Sequence, residues 1–411
     1  MNAARSDYQE SDGLRNKRII FVLGSLELGG AEHQALILAR YLSEQERAIV
    51  EVWGFNHAGP ISLMCQQHGL AWRVLPYPFV ANHRARLVSL AKLAWILRRA
   101  RPDILLSYTL IPNIACGLVW RWTGAQLCVW NQRDEGIASF GSALERRSIK
   151  QVPKFISNST QGARFLIDEL KVPPARVSVI RNGVECCAPR MERAAWRNHL
   201  QLDDETFVAC MLANLHQNKD HNTLLMAWRD VATRLEANGR KAVLLLAGKC
   251  DDTYEPLVAL SRELNLEHSI RFLRQVSDVA ALLSAVDISV LSSRSEGCPN
   301  GVLESMASGL AVVGTDTAGI REALGPGSAP FLAPPGDDKA LAGIILRLAN
   351  DPDLCSRIGA QNQSRVRSEY VAGRMCEETA SLLLSLVDGR KYSANFRRQW
   401  IDRNKTPEPG V

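Results

Sequence analysis

Two glutamates eight positions apart, Glu296 and Glu304, are the residues whose type and spacing point most directly to chemistry. They lie in the stretch SSRSEGCPNGVLESMASG, residues 292–309, which follows a short apolar run. A polar loop and then a helix beginning near Asn300 are predicted there, so one glutamate belongs to the loop and the other to the helix. Two carboxylates directed at one ligand suit vicinal hydroxyls, because carboxylate oxygens accept hydrogen bonds from hydroxyl groups. Sugars and ribose carry such hydroxyls.

Backbone amides in the same stretch are a second kind of ligand-binding group. The loop around Gly297 and the N–H groups that begin the following helix can donate to the oxygen atoms of a polar or anionic ligand. An ordinary helix N-terminus beside two solvated acids is the alternative, and the residues alone leave both interpretations open.

A glycine pair near the start of the chain forms another candidate loop. Gly29 and Gly30 precede a predicted helix over 31–42. Glycine has no Cβ, so its backbone can approach a ligand closely, and a helix N-terminus favours a diphosphate. An ordinary tight turn is the alternative. The segment GSLELGG does not match GxGxxG, which disfavours an NAD enzyme.

Short apolar strands and helical segments alternate through most of the chain, which is typical of parallel sheets covered by helices. Helices are predicted at 31–42, 87–97 and 161–170. The predicted strands are 18–24, 50–55, 103–107, 127–130, 155–158 and 177–180 in the first half, and 207–212, 242–247, 270–273, 288–291, 311–314 and 330–332 in the second.

We therefore predict an α/β protein with two facing Rossmann-like lobes, each built on a parallel sheet. Ligands of such sheets bind beyond the carboxyl ends of the strands, so the cleft between the lobes is the expected site. The predicted organisation is a disordered N-terminus at 1–17, an N-terminal Rossmann-like domain at 18–187, a C-terminal Rossmann-like domain at 193–385, and a C-terminal helix and tail at 386–411.

The Glu-x7-Glu pattern of Glu296 and Glu304 resembles the signature of the retaining glycosyltransferases of family 4, whose two-lobed fold is called GT-B. Further segments resemble that family in the same order: LGGAE at 28–32, VIRNGV at 179–184, ANLHQNKDHNTLL at 213–225, LLLAG at 244–248 and GTDTAGIRE at 314–322. The similarity covers about residues 18–385, and the ordered set with its spacing carries it.

The resemblance implies that the C-terminal domain at 193–385 binds the donor, a UDP-, GDP- or ADP-type sugar, and that the N-terminal domain at 18–187 binds the acceptor. Glu304 is expected to bind the nucleotide ribose and Glu296 the transferred sugar, whereas Lys219 neutralises the diphosphate and stabilises the leaving nucleotide. Because an ammonium group can do this, no metal ion and no other cofactor is expected. The other implied donor-binding residues are Gly29, Gly30, Asn214, Gly248, Arg294, Gly297, Cys298, Pro299, Asn300 and Gly301.

The chain departs from the family pattern mildly at Ala318-Gly319, where a second glycine is usual before Ile320, and more strongly at two other places. Many relatives carry an arginine where Asn214 stands, so one phosphate contact is weaker or is made by another base such as Arg294. Many also carry a histidine after the strand that corresponds to 127–130, where this chain reads NQRDE. Arg133, followed by Asp134, is the residue we expect to act there, and Arg133 joins Lys219 and Glu296 as a catalytic candidate.

Positive charge is concentrated in one segment. The whole chain carries a formal net charge of +6, whereas residues 52–133 contain nine basic residues and a single acid, Asp103. A helical wheel places Leu87, Leu90, Leu93, Ala94 and Leu97 on one face, and Arg84, Lys92, Arg98 and Arg99 with Trp95 around the other. Such a face suits an anionic membrane surface, with a solvated helix face as the alternative. Nucleic acid is not an expected partner, because no matching motif is present.

Other features of the sequence indicate a cytoplasmic protein, and peripheral contact with the inner face of the membrane stays open as an additional possibility. The ten cysteines are scattered without a CxxC pair, the first 16 residues lack the apolar core of a signal peptide, and no apolar run is long enough to span a membrane. The eight histidines form no HxxxH or HExxH pair, so no metal site is expected.

The predicted function is that of a metal-independent retaining hexosyltransferase. It moves a sugar from a nucleotide diphosphate sugar to a hydroxyl of a saccharide or lipid-linked saccharide, in surface polysaccharide or glycolipid biosynthesis. Two alternatives stay open: a non-catalytic sugar-nucleotide-binding protein, and an epimerase or phosphorylase with the same architecture.

Overall fold

The computed structural model describes residues 13–79, 83–136, 139–185 and 188–388, which form two α/β lobes. The strands of the N-terminal lobe are β1 (Arg18–Leu23), β2 (Ile49–Phe55), β3 (Ala71–Leu75), β4 (Ile104–Tyr108), β5 (Leu127–Gln132), β6 (Lys154–Ser157) and β7 (Val177–Val179). Those of the C-terminal lobe are β8 (Phe207–Leu212), β9 (Ala242–Ala247), β10 (Ile270–Arg274), β11 (Ile288–Leu291), β12 (Ala311–Thr315) and β13 (Leu332–Ala333).

Helices cover both faces of each sheet. The first six are α1 (Gly30–Glu44), α2 (Pro60–Gln67), α3 (His83–Ala100), α4 (Leu110–Thr123), α5 (Ala143–Gln151) and α6 (Thr160–Arg164), which continues as a π-helical turn at Phe165–Glu169. The rest are α7 (Arg193–His199), α8 (His221–Ala237), α9 (Tyr254–Glu263), α10 (Val279–Ser284), α11 (Asn300–Ala307), α12 (Ala318–Leu324), α13 (Asp338–Ala349), α14 (Pro352–Glu369) and α15 (Ala372–Val387).

The two sheets share one topology, and the predicted fold class is confirmed. The strand order is β3-β2-β1-β4-β5-β6-β7 in one lobe and β10-β9-β8-β11-β12-β13 in the other, with parallel pairing throughout. The order reverses between β1 and β4 and again between β8 and β11. Ligands bind at such switch points, outside the carboxyl ends of the strands. A ligand site is therefore expected in the loops that follow these four strands.

Both faces of each sheet are buried, which explains why the strands are nearly continuous apolar runs. Alternate side chains of a strand point to opposite faces. In β1, Ile19 and Phe21 belong to one apolar cluster and Ile20 and Val22 to another, and all four are fully buried. The sequence pattern missed β3 and the helices α2, α4 and α5, and it placed the last strand at 330–332. Residues 329–331 form a 3-10 turn instead, since Pro330 has no N–H group to donate to a strand ladder.

The last helix belongs to the N-terminal lobe, which corrects the predicted domain limits of 193–385 and 386–411. The chain returns through a bridge between Val184 and Val371, where the N–H of Ala372 donates to the carbonyl of Val184 at 3.1 Å. Helix α15 then packs on α1, with Met375 and Leu383 in the same apolar cluster as β1.

The start of the described chain is also ordered, contrary to the predicted disorder of residues 1–17. Leu14 is fully buried in the N-terminal core, and the N–H of Lys17 donates to its carbonyl oxygen at 3.0 Å. Residues 1–12 and 389–411 lie outside the described part of the chain, so the predictions for those segments concern residues that the structure does not describe.

Helix α3 presents its basic residues to solvent, as the wheel predicts. Arg84, Lys92, Arg98 and Arg99 are exposed, and so is Trp95 at 59%. The predicted apolar face is wrong at one end, because Leu87 is 67% exposed. In the described part of the chain, no helix is both long and apolar enough to cross a membrane.

Candidate active site

The loops after β8 and β11 leave the C-terminal sheet side by side, because these strands are neighbours at the switch point. Lys219 ends a 3-10 turn in the first loop, and Glu296 lies in the second. Several hydrogen bonds join the loops: among them, Asn218 Nδ2 donates to the carbonyl of Ser295 at 2.8 Å, and the N–H of Arg294 donates to the carbonyl of Asn218 at 2.9 Å. Hydrogen bonds to backbone carbonyls thus fix the two loops against each other.

The side chains of Lys219 and Glu296 form an ion pair in which Nζ lies 2.5 Å from Oε1. The Ser293 hydroxyl donates to the same carboxylate oxygen at 2.5 Å. The carboxylate is only 9% exposed, so its charge depends on these two donors. The two residues are thus held together, one on each side of the switch point.

Helix α11 begins directly after the Glu296 loop, and no side chain caps its first turn. Gly301 brings that turn against the end of β8, since a Cβ there would lie 2.2 Å from the carbonyl oxygen of Leu212. The first amides of α11 can therefore donate to a ligand beside Glu296.

Glu304 lies about one turn into α11, half-buried and without a hydrogen bond to its carboxylate from any residue that the structure describes. Burial raises the pKa of Glu304 to about 7. A carboxylate without donors in an apolar environment is costly, and the hydroxyls of a ribose would supply donors.

The N-terminal lobe reaches this helix through a chain of amide contacts. Asn182 Nδ2 donates to the carbonyl of Cys298 and to Oδ1 of Asn300, both at 2.8 Å. Asn300 Nδ2 in turn donates to the carbonyl of Gly30 at 3.0 Å. The glycine loop after β1 therefore lies over the start of α11, across the cleft from Lys219.

Arg133 follows β5 and projects from the N-terminal lobe into the same region. Its guanidinium donates to Asn182 Oδ1 at 3.0 Å and lies over the ring of Tyr108, 4.5 Å from the centroid. Its Nε is buried without a partner among the described residues. Burial raises the pKa of Glu32, and the charge of Arg133 opposes that shift. A cation thus occupies the place where the family pattern has a histidine.

Gly297 and Glu135 lie where the two lobes contact each other. A Cβ on Gly297 would lie 2.9 Å from Oδ1 of Asn158 and 3.1 Å from the carbonyl oxygen of Arg133. Burial raises the pKa of Glu135, and the nearby carboxylate of Glu296 adds to that shift. Asp134, the second residue expected after β5, accepts from the N–H of Gly136 at 2.7 Å and so shapes the loop.

Three predicted donor-binding residues have protein partners in this structure. Arg294 is 59% exposed and pairs with Asp220, with Nε 3.2 Å from Oδ2. Asn214 accepts from the N–H of Lys249 at 3.1 Å. Gly248 packs against the loop after β8, since a Cβ there would lie 2.0 Å from the carbonyl oxygen of Ala213.

The residues around Cys298 complete the loop. Burial raises the pKa of the Cys298 thiol to about 12, so the thiol is protonated at neutral pH. The group of Cys298 that contacts Asn182 is its backbone carbonyl. Pro299 occupies the N-cap of α11, and Gly29 precedes α1, also without a side-chain cap. Among the residues that the structure describes, no group of three His, Cys, Asp or Glu side chains could hold a metal ion.

Sequence reasoning did not single out Asn182, Glu135 or Tyr108, which the structure brings to the cleft. Asn182 had a signal, because it lies in the motif VIRNGV. Tyr108 ends β4 at the N-terminal switch point, one residue beyond the strand predicted at 103–107, and nothing in the sequence marks it as a site residue.

Comparison with known families accounts for most of the chain. The profile described as Glycosyltransferase Family 4 matches residues 28–186, and the one described as Glycosyl transferases group 1 matches residues 192–365. Together they cover most of both lobes.

Individual relatives are more distant. The chain is 29% identical to EpsD of Bacillus subtilis over 45% of this chain and 47% of EpsD. It is 24% identical to N-acetyl-alpha-D-glucosaminyl L-malate synthase of Bacillus anthracis, over 72% of this chain and 78% of that protein. The chain thus spans about half the length of the first relative and over three quarters of the second.

Solved structures share the fold. HepE of Anabaena, in complex with UDP and glucose, superposes with a TM-score of 0.78 at 20% identity, covering 90% of this chain and all of HepE. A glycosyltransferase from Rickettsia africae gives a TM-score of 0.76 at 17% identity, covering 92% of this chain.

Proposed function

Since the chain belongs to glycosyltransferase family 4, we propose that it transfers a hexose from a nucleoside diphosphate sugar to an acceptor hydroxyl, with retention at the anomeric carbon. The observation that carries this proposal is the ion pair of Lys219 and Glu296, with the carboxylate of Glu304 on the adjoining helix. A cation and two carboxylates at one switch point match the three parts of such a donor: diphosphate, sugar and ribose.

Lys219 supports the chemical step in this proposal. Negative charge builds up on the departing phosphate in the transition state, and a fixed cation lowers that barrier. An ammonium group has three N–H donors, so the bond to Glu296 leaves two for phosphate oxygens. This is why we propose transfer that needs no metal ion.

Glu296 and the amides of α11 would hold the hydroxyls of the sugar, while Glu304 accepts from those of the ribose. Arg133 enters from the opposite lobe, where the acceptor would bind. The positive charge of Arg133 would stabilise the reacting groups from that side, where many relatives have a histidine.

We further propose an acceptor that is a saccharide, free or lipid-linked, in surface polysaccharide or glycolipid biosynthesis. The exposed basic residues and Trp95 of α3 support an acceptor presented at the inner face of a membrane, with the protein cytoplasmic and peripherally bound. Names among the similar proteins support the same context: one is a capsular polysaccharide biosynthesis glycosyltransferase, CapM of Staphylococcus aureus, and another, WaaG, is described as involved in lipopolysaccharide biosynthesis.

Thermal denaturation with UDP, GDP and ADP tests the donor class. A ligand at about 100 times its Kd stabilises a protein by about 2.7 kcal/mol, so one nucleotide should raise the Tm clearly above the others. Labelled hexose donors of that nucleotide should then release nucleoside diphosphate in the presence of acceptor sugars. Stabilisation by none of the three would reject the proposal.

A further inference from the structure

One charge at the proposed donor site is unaccounted for. A nucleoside diphosphate carries more than one negative charge, whereas Lys219 offers a single ammonium group that Glu296 already contacts. Asn214 stands where many relatives have an arginine. The inference that follows rests on the proposed function, and it concerns which residue provides the second charge.

Lys249 lies at the same edge of the sheet as Lys219. The strands β8 and β9 are parallel neighbours whose last residues, Leu212 and Ala247, are paired, so the loops after them leave together. The N–H of Lys249 donates to Asn214 Oδ1 at 3.1 Å, and its carbonyl accepts from the N–H of Leu215 at 2.9 Å. A basic residue is thus missing at position 214 but present at the position that contacts it.

The side chain of Lys249 reaches across the cleft. Its Nζ lies 3.3 Å from Oε2 of Glu27, which precedes the glycine pair Gly29 and Gly30 in the loop after β1. The other oxygen of Glu27 lies 3.2 Å from Nε2 of His57. Lys249 therefore spans the space between the glycine loop and the loop that carries Lys219.

This pair is suited to exchange partners. Lys249 is 43% exposed and Glu27 33%, and exposed pairs of this kind contribute little to stability. By contrast, the carboxylate that Lys219 contacts is only 9% exposed, and Arg294 pairs with Asp220, whose side chain is 3% exposed. Of these three cations, Lys249 has the partner that a phosphate would most easily replace.

We propose that Lys249 is the second diphosphate-binding cation of this protein, and that Glu27 competes with the diphosphate for its ammonium group. The phosphate would accept hydrogen bonds from Lys249 on one side and Lys219 on the other. Charge-assisted hydrogen bonds of this type are about twice as strong as neutral ones.

Calorimetry with UDP, GDP and ADP tests the proposal through two variants with opposite expected effects. Lys249→Gln should weaken binding of the preferred nucleotide about tenfold, because a charge-assisted contact is lost. Glu27→Gln should tighten binding severalfold, because the competitor is removed. The double variant should show less gain from Glu27→Gln than wild type does, since there is no ammonium left to release.

Lys241→Gln is the matched control, because Lys241 also pairs with an acid, Asp203, at 2.7 Å on the surface of the same lobe. It should leave the Kd unchanged. Asn214→Arg in the Lys249→Gln protein should restore much of the lost affinity, since the base returns to the neighbouring position.

If the wild type binds nucleotide, either of two results would overturn this inference and leave the proposed function standing. Equal weakening by Lys249→Gln and Glu27→Gln would mean that the pair only bridges the lobes, and an unchanged Kd for Lys249→Gln would mean that Lys249 does not contact the diphosphate. A wild-type protein that binds none of the three nucleotides would instead overturn the proposed function and this inference with it.

Discussion

Nζ of Lys219 and Oε1 of Glu296 lie 2.5 Å apart, although 77 positions separate the two residues in the chain. The contact exists because β8 and β11 are adjacent at the switch point, where the loops that follow them meet. It couples the group proposed to bind phosphate to the group proposed to bind sugar.

Changing Glu296 should separate sugar transfer from nucleotide binding. In Glu296→Gln the side chain keeps its size but loses the charge that pairs with Lys219, so transfer should fall by about 10²-fold. The Kd for nucleoside diphosphate should stay within about threefold, because the ammonium group remains available for phosphate. Steady-state kinetics and calorimetry measure the two effects, with the exposed Glu263→Gln of α9 as control. Equal losses in both would show that the roles of Glu296 and Glu304 are misassigned.

Changing Glu304 should act on the nucleotide instead. Hydrogen bonds to a charged group contribute about 1.5–3 kcal/mol, so Glu304→Gln should raise the Kd for nucleoside diphosphate by about 10- to 100-fold. The 2′-deoxy analogue gives a sharper comparison. Wild type should prefer the ribonucleotide clearly, and the variant should lose most of that preference. A variant that still discriminates as wild type does would place the ribose elsewhere.

The raised pKa of Glu304 predicts that the unfolding free energy and the nucleotide affinity change with pH in opposite directions. An ordinary glutamate in the unfolded chain has a pKa of 4.5, and burial raises that of the folded protein to about 7. The folded protein therefore binds more protons between these values, and its unfolding free energy without ligand falls as pH rises from about 4.5 to 7. Nucleotide affinity should rise over the upper part of that range, because the ionised carboxylate is the better acceptor.

Calorimetry from pH 5.5 to 8 checks this dependence, with the difference between wild type and Glu304→Gln isolating the carboxylate from the titration of the nucleotide. As the pH falls below about 7, the Kd of wild type should rise relative to the Kd of the variant by up to about tenfold per pH unit. Parallel profiles for the two proteins would contradict the assignment.

The basic face of α3 should bind anionic vesicles. Each base near an anionic surface contributes about 1 kcal/mol, and the attraction weakens as salt shortens the Debye length. Wild type should therefore cosediment with anionic vesicles at low salt and dissociate at high salt, whereas glutamine at Arg84, Lys92, Arg98 and Arg99 should abolish binding.

A control for charge alone changes four exposed bases of the other lobe to glutamine: Arg234, Lys241, Arg262 and Lys339. This variant should still bind vesicles. Transfer to a short soluble acceptor should survive in both, because the proposed donor site lies in the C-terminal lobe. If wild type does not bind anionic vesicles at low salt, the basic face of α3 is only a solvated helix face.

The sequence predicts the parts of the fold that periodicity controls. Parallel strands that are buried on both faces are apolar runs, and their alternation with helices is enough to predict two lobes and a site at their carboxyl ends. It cannot predict that α15 covers the N-terminal lobe, because an apolar stripe does not say which surface it will meet. Leu14 and Leu87 show the same limit, since one leucine is fully buried and the other 67% exposed.

The sequence likewise predicts some residues of the candidate site and not the contacts that others make. Lys219, Glu296 and Glu304 stand in motifs, and the structure brings the first two into contact. Contacts between lobes carry no local signal, so the motif around Asn182 does not show that its amide meets α11, and nothing in the sequence shows that the ammonium of Lys249 meets Glu27.

The most direct test of this account is the rate at which wild type and Lys219→Ala release nucleoside diphosphate from a labelled hexose donor, with acceptor and excess EDTA. The account predicts that wild type turns over under these conditions and that Lys219→Ala is about 10²- to 10³-fold slower, because the cation beside the leaving phosphate is gone. Wild-type turnover that stops with EDTA and returns with Mg²⁺ or Mn²⁺, or a Lys219→Ala protein as fast as wild type, would contradict it.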